Sequence, residues 1–230
     1  MSEDLALKTR LLNASLPHVV FDGWGDEPLN FAAQECGVAV EVARALFPRG
    51  GIDLAMAYHR AGDAEMLARF EVEPLEDMRF RDKIAALVKL RLKLIEDKEL
   101  VRRGSSLFSL PQNSADGAKL IWGTCDAIWN ALGDTSEDAN WYTKRATLSG
   151  VYGATVLYWL GDDSEGHVET WAFLDRRIDN VMQFEKVKAA VAKTPVLGRL
   201  ISEMVGRIQP PNTSPRDDVP GTWTDKTKEA

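Results

Sequence analysis

Two cysteines among 230 residues, Cys36 and Cys125, stand far apart and in no metal-ligand spacing. A disulfide framework and a Cys-pair zinc site are therefore excluded, and a reducing compartment is the natural setting. Histidine is nearly as scarce. None of His18, His59 and His167 follows a Glu by three positions, so the Glu-x-x-His pairs that hold a di-iron centre are missing. There is no G-x-G-x-x-G, no P-loop and no G-x-S-x-G, which leaves dinucleotide, phosphoryl-transfer and acyl-transfer chemistry without a motif. The longest uncharged run, Ala146 to Gly161, has 16 residues and includes Thr, Ser and Gly. A spanning helix needs about 20 mostly apolar residues. The start, MSEDLALKTR, begins with acids and lacks the apolar segment expected of a secretory signal. Net charge is -7, which argues against a general polyanion binder.

What the chain does have is helical periodicity. Hydrophobic residues make up 45% of it and charged residues 27%, enough to bury a core. Apolar residues recur at spacings of three and four, and no alternating strand segment interrupts them, so the fold class is all-α. Residues 4–21 read as a helix kinked at Pro17, and a second starts near Pro28. Gly37-Val38 makes a turn and a third helix follows from Ala39 to Phe47. Further helices are expected over 50–70, 79–100, 118–132 and 170–182, with 104–117 as a loop.

The spacing Ala33-x-x-x-Gly37-Val38, with LFPRGG after the third helix, resembles the N-terminal helix-turn-helix of TetR-type regulators. The charges do not suit DNA. Residues 1–50 hold Lys8, Arg10, Arg44 and Arg49 against seven acidic residues, and the expected recognition helix AVEVARALF has no Asn, Gln, Ser, Thr or Lys to read a base edge.

The most informative stretch is Asn140 to Leu160, NWYTKRATLSGVYGATVLYWL. Its body is apolar on nearly every face, as in a buried central helix. Its first turns differ: Trp141, Tyr142 and Arg145 are of the residue types that dominate binding hot spots. The run DTSEDANWYTKRATLSGVY, then Gly161-Asp162 and the downstream TWAFLDRRIDNVM, closely resembles the signature of the coenzyme Q biosynthesis accessory family, the Coq-nine proteins, and the chain looks like a bacterial member. The signature covers roughly residues 134–182.

That resemblance implies a TetR-like fold without DNA function and a protein that is not an enzyme. It implies a bound isoprenoid or phospholipid rather than a cofactor, and a partner, the di-iron demethoxyubiquinone hydroxylase, to which a hydrophobic quinone intermediate is presented. The Trp-Tyr pair implicated in that contact falls on Trp141 and Tyr142; Arg145 joins it by position and chemistry. The region 186–208 reads as a basic amphipathic helix with Leu197, Leu200, Ile201, Met204, Val205 and Ile208 on one face. The pattern suits docking on the core or lying on an anionic membrane surface, and the resemblance favours the membrane. The expected organisation is a helix-turn-helix-like domain over 1–50, a helical lipid-binding domain over 51–185, the amphipathic helix over 186–208 and a disordered tail over 209–230. The expected location is cytoplasmic, peripheral to the inner membrane, with no nucleic-acid partner and a possible homodimer. The alternative is a TetR-like regulator that senses a hydrophobic ligand.

Overall fold

The computed structural model describes residues 2–72, 78–136 and 139–192. Among these, regular structure is helical throughout: α1 Ser2–Asp22, α2 Asp26–Glu35, α3 Val40–Leu46, α4 Gly51–Phe70, α5 Phe80–Lys93, α6 Lys98–Ser109, α7 Ser114–Ala131, α8 Ala139–Leu160 and α9 Val168–Ala192. The helix α1 runs on through Pro17. Gly37 adopts φ 68° at the corner between α2 and α3, where a Cβ would be strained. The amide of Val38 donates to the Ala33 carbonyl and closes the end of α2.

Two apolar cores follow from the periodicity. The N-terminal core gathers Leu11, Val19, Leu29, Ala33, Phe47 and Leu54 from α1–α4, with Leu100 of α6. The second gathers Met66, Leu87, Val88, Cys125, Ile128, Leu148, Tyr152 and Leu174 from α4, α5, α7, α8 and α9. The long α4 serves both, with Leu54 in one core and Met66 in the other. Each fully buried Leu contributes roughly 1.5–3 kcal/mol. The 50/51 boundary thus coincides with the start of α4 but does not separate two independent cores.

The segment expected as one helix over 79–100 is two. The helix α5 ends at Lys93, and Asp97 caps a new one, its carboxylate accepting from the Glu99 amide at 2.7 Å. The expected loop over 104–117 is correspondingly shorter. Helix α6 reaches Ser109, a turn around Pro111 follows, and α7 begins at Ser114. The last described helix, α9, runs across the boundary placed between 185 and 186.

The helices α8 and α9 pack against each other across a short connection. Asp162 organises it: its carboxylate accepts from the amides of Ser164 and Thr170 and from the Thr170 hydroxyl. Those bonds hold its pKa far below the usual carboxylate range. From α6, Lys98 and Arg102 donate to the carbonyls of Asp162 and Leu160, covering the orphan C-terminal end of α8 with positive charge.

Candidate functional site: an aromatic surface and an apolar cavity

The start of α8 carries an aromatic surface. Trp141 and Tyr142 meet edge to face at 4.8 Å, and Trp122 of α7 joins them at 5.9 Å and 6.4 Å. All three are half-buried, exposing part of each ring. Trp122 thus brings a third ring to the cluster from a separate helix.

Arg145 lies beneath this surface. It is 1% exposed, so it cannot touch a partner, and its expected role as a contact residue is corrected. Its guanidinium lies 3.9 Å from the Trp141 ring centroid. It donates to Asp126, to Asp134 at 3.0 Å, to the Asn130 side chain at 3.0 Å and to the Trp141 carbonyl at 3.2 Å. A buried cation is tolerated only when paired and hydrogen-bonded, and here every nitrogen is engaged. Lys144 reaches Asp134 at 2.7 Å and also sits over the Trp129 ring. Burial opposes ionisation of Asp134, but hydrogen bonds from Lys144, Ser136 and Arg145 outweigh it and pull its pKa down to about 2. Arg145 is a positioning residue: it fixes Trp141 through a stack and a carbonyl bond.

Elsewhere, α4, α5, α6, α7 and α8 enclose a cavity of about 420 Å³, within the range of small-molecule sites. Its walls are mostly apolar: Leu100, Phe108, Leu120, Ile121 and Val156 are among them. Gly117 lets α6 and α7 approach closely; a Cβ there would come within 2.7 Å of the Phe108 side chain. One end is polar. Arg91, with a side chain 4% exposed, donates to Asp63 at 2.7 Å and to the His59 carbonyl at 3.0 Å. The Thr124 hydroxyl sits 3.0 Å from both Asp63 oxygens and 2.8 Å from His59 Nε2. Burial lowers the His59 pKa to about 4, so the ring is neutral at pH 7, and burial pushes Tyr152 up to about 12. None of this lining was identified from the sequence. The available signal was His59 and Asp63, a polar pair one turn apart on α4.

Among the described residues no cluster of three or more His, Cys, Asp or Glu could hold a metal, and no helix is long and apolar enough to cross a membrane. The residues expected to face a membrane, Leu197 to Ile208, lie outside the described residues. In the helix-turn-helix, α3 turns Glu41, Val42 and Arg44 outward, a surface with little to offer a phosphate backbone or a base edge.

Residues 114–185 match the family model described as COQ9. The chain is 30% identical over 199 residues to the rat protein "Ubiquinone biosynthesis protein COQ9, mitochondrial", covering 82% of this chain and 62% of that protein. The human protein of the same name is 28% identical, with 82% and 61% covered, and the Drosophila melanogaster one is 29% identical, with 78% and 56% covered. The chain thus spans about 62% of the length of the rat relative it matches. The fold is similar to a solved TetR transcriptional regulator from Nitrosomonas europaea, with TM-score 0.61, 20% identity, and 76% of this chain and 97% of that chain covered. At that identity the likeness shows the TetR-like fold alone.

Proposed function

We propose that the chain is a member of the COQ9 family of ubiquinone biosynthesis proteins, to which it is similar over most of its length, and that it acts in ubiquinone biosynthesis as a non-catalytic lipid-binding accessory protein. In this reading it holds a hydrophobic quinone intermediate and presents it to the di-iron demethoxyubiquinone hydroxylase. The observation that carries the lipid part is the apolar cavity between α4 and α8. It is ligand-sized, and a flexible apolar molecule is what such walls stabilise. The aromatic surface of Trp122, Trp141 and Tyr142 supports the partner part, because rigid aromatics beside buried supports are the residues from which hot spots are built. In this reading oxygen chemistry falls to the partner.

In this reading the protein works at the anionic inner face of a membrane, which Leu197, Leu200, Ile201, Met204, Val205 and Ile208 of the segment 186–208 would meet. The net basic character of 186–208 in a chain of net charge -7 supports this. Flotation with anionic liposomes is expected to fall on truncation at Lys193; undiminished flotation contradicts it. The functional reading as a whole is tested by deleting the gene and extracting quinones. The expected result is depleted ubiquinone with accumulation of the substrate of the late hydroxylation. A normal quinone profile overturns the reading.

A further inference from the structure

The outer face of α1 and α2 combines aromatic side chains with acidic ones. Residues 11–43 hold Asp22, Asp26, Glu27, Glu35 and Glu41 and no Lys or Arg. The same stretch carries Phe21, 79% exposed, and Phe31, 44% exposed. Single exposed apolar residues are ordinary, but neighbouring rings on one face mark an interaction surface.

The geometry makes them neighbours. A short connection folds α2 back against α1. On α1, His18 and Phe21 are one turn apart and share a face. On α2, Glu27, Phe31 and Glu35 recur at every fourth position and form a second stripe. The stripes meet where the His18 imidazole stacks on the Phe31 ring, with centroids 4.8 Å apart and 16° between the planes. His18 Nε2 lies 2.9 Å from Glu35 Oε1, so the imidazole is held and in turn fixes one face of Phe31. Phe21, Asp22, Glu27 and Glu35 remain exposed around it. The result is a preorganised aromatic ledge with a carboxylate rim.

The rim decides what the ledge receives. It repels nucleic acid and an anionic lipid surface. With no Lys or Arg in the stretch, an acidic polypeptide finds no counter-charge either. A cationic segment with an apolar stripe satisfies both features: its leucines cover the rings, and its lysines or arginines meet the carboxylates. The two stripes run along adjacent helices, and a third helix laid against them meets both with residues three and four apart. We propose that the α1–α2 face is a docking site for a basic amphipathic helix of a partner protein, anchored on Phe21 and Phe31 and oriented by Asp22, Glu27 and Glu35. This surface is separate from that of Trp122, Trp141 and Tyr142, and it gives the helix-turn-helix-like domain a role other than DNA binding.

Fluorescence anisotropy on the full chain at neutral pH tests this with a labelled amphipathic Leu/Lys peptide and its Leu/Glu counterpart. The wild-type chain is expected to bind the Leu/Lys peptide at least about tenfold more tightly, with an affinity that falls as salt rises. Phe21→Ser/Phe31→Ser is expected to weaken that binding by about tenfold or more, and Glu27→Gln/Glu35→Gln by about three- to tenfold. All four side chains are exposed, so both variants should melt close to the wild type, and Trp141→Ala should leave the peptide affinity unchanged. A loss confined to the charge variant reduces the contact to general attraction by a chain of net charge -7 and overturns the proposal. Equal binding of the two peptides, or no binding of either, also overturns it. Flotation with phosphatidylcholine vesicles that disappears in Phe21→Ser/Phe31→Ser would assign the face to lipid. Self-association that disappears in that variant would assign it to a second copy. Either result overturns the partner helix.

Discussion

Two buried arginines divide the molecule between them. Arg145 lies under the aromatic surface and Arg91 at the inner end of the cavity, and both side chains are almost completely removed from water. Arg145 meets two carboxylates, an amide and a carbonyl, and stacks on Trp141. Arg91 meets one carboxylate and one carbonyl and borders empty space. The same residue type is used in opposite directions. One holds a surface rigid from behind, and the other sets the electrostatics at the inner end of a cavity. The lesson is that burial of a charge says little about its role until its partners and the nearest free space are known.

The largest effect is expected at Arg145. Replacing it with Met takes one of two cations from the Asp134 carboxylate, itself 3% exposed, and leaves Asp126 and Asn130 without their arginine, a change expected to cost about 3–5 kcal/mol. Urea unfolding should show this as a lower midpoint, and Trp141 fluorescence should report a loosened ring. A loss below about 1 kcal/mol would make Arg145 an ordinary surface pair.

Acid should separate the two clusters. The His59 proton is bound at 6.5 in an unstructured chain and at about 4 in the fold. The unfolded state therefore takes up more protons between those values, and stability falls as pH drops from 6.5 to 4, by up to roughly 3 kcal/mol. His59→Gln should flatten this slope; an unchanged slope would remove His59 from the account. Asp134 acts lower. Its pKa falls from 3.8 to about 2 on folding, so its roughly 2 kcal/mol is present above 3.8 and disappears as pH falls to 2. Asp134→Asn should lose that lower step alone.

The smallest effect on stability, and the most specific on function, belongs to Trp141. Trp141→Ala removes two aromatic contacts at a half-exposed site and should cost about 1 kcal/mol, within reach of thermal unfolding. Hydroxylase capture should nonetheless be lost. Capture at the wild-type level would free the aromatic surface from a partner role.

Periodicity was sufficient for the all-α class and for most helices, because packing faces repeat along the chain. The break after Lys93 went unread because the apolar pattern continues through Leu94 and Ile95, although Asp97 before Lys98-Glu99 was a usable cap signal. Trp141 and Tyr142 stood out by composition at a helix start. The burial of Arg145 did not, because its carboxylates come from the end of α7 and the turn beyond it, at positions 126 and 134. The cavity was illegible for a similar reason. Its lining comes from several helices at single positions, and no one stretch of sequence carries it.

The central claim is that this chain carries an apolar ligand between α4 and α8. Gly153 lines that cavity, and a Cβ there would sit 3.9 Å from Ile121 Cδ1, so a Leu can enter without forcing the helices apart. Native mass spectrometry of the purified chain should show a co-purifying isoprenoid adduct, absent from a folded Gly153→Leu variant. A wild-type chain without an adduct, or a variant that retains it, would contradict the account.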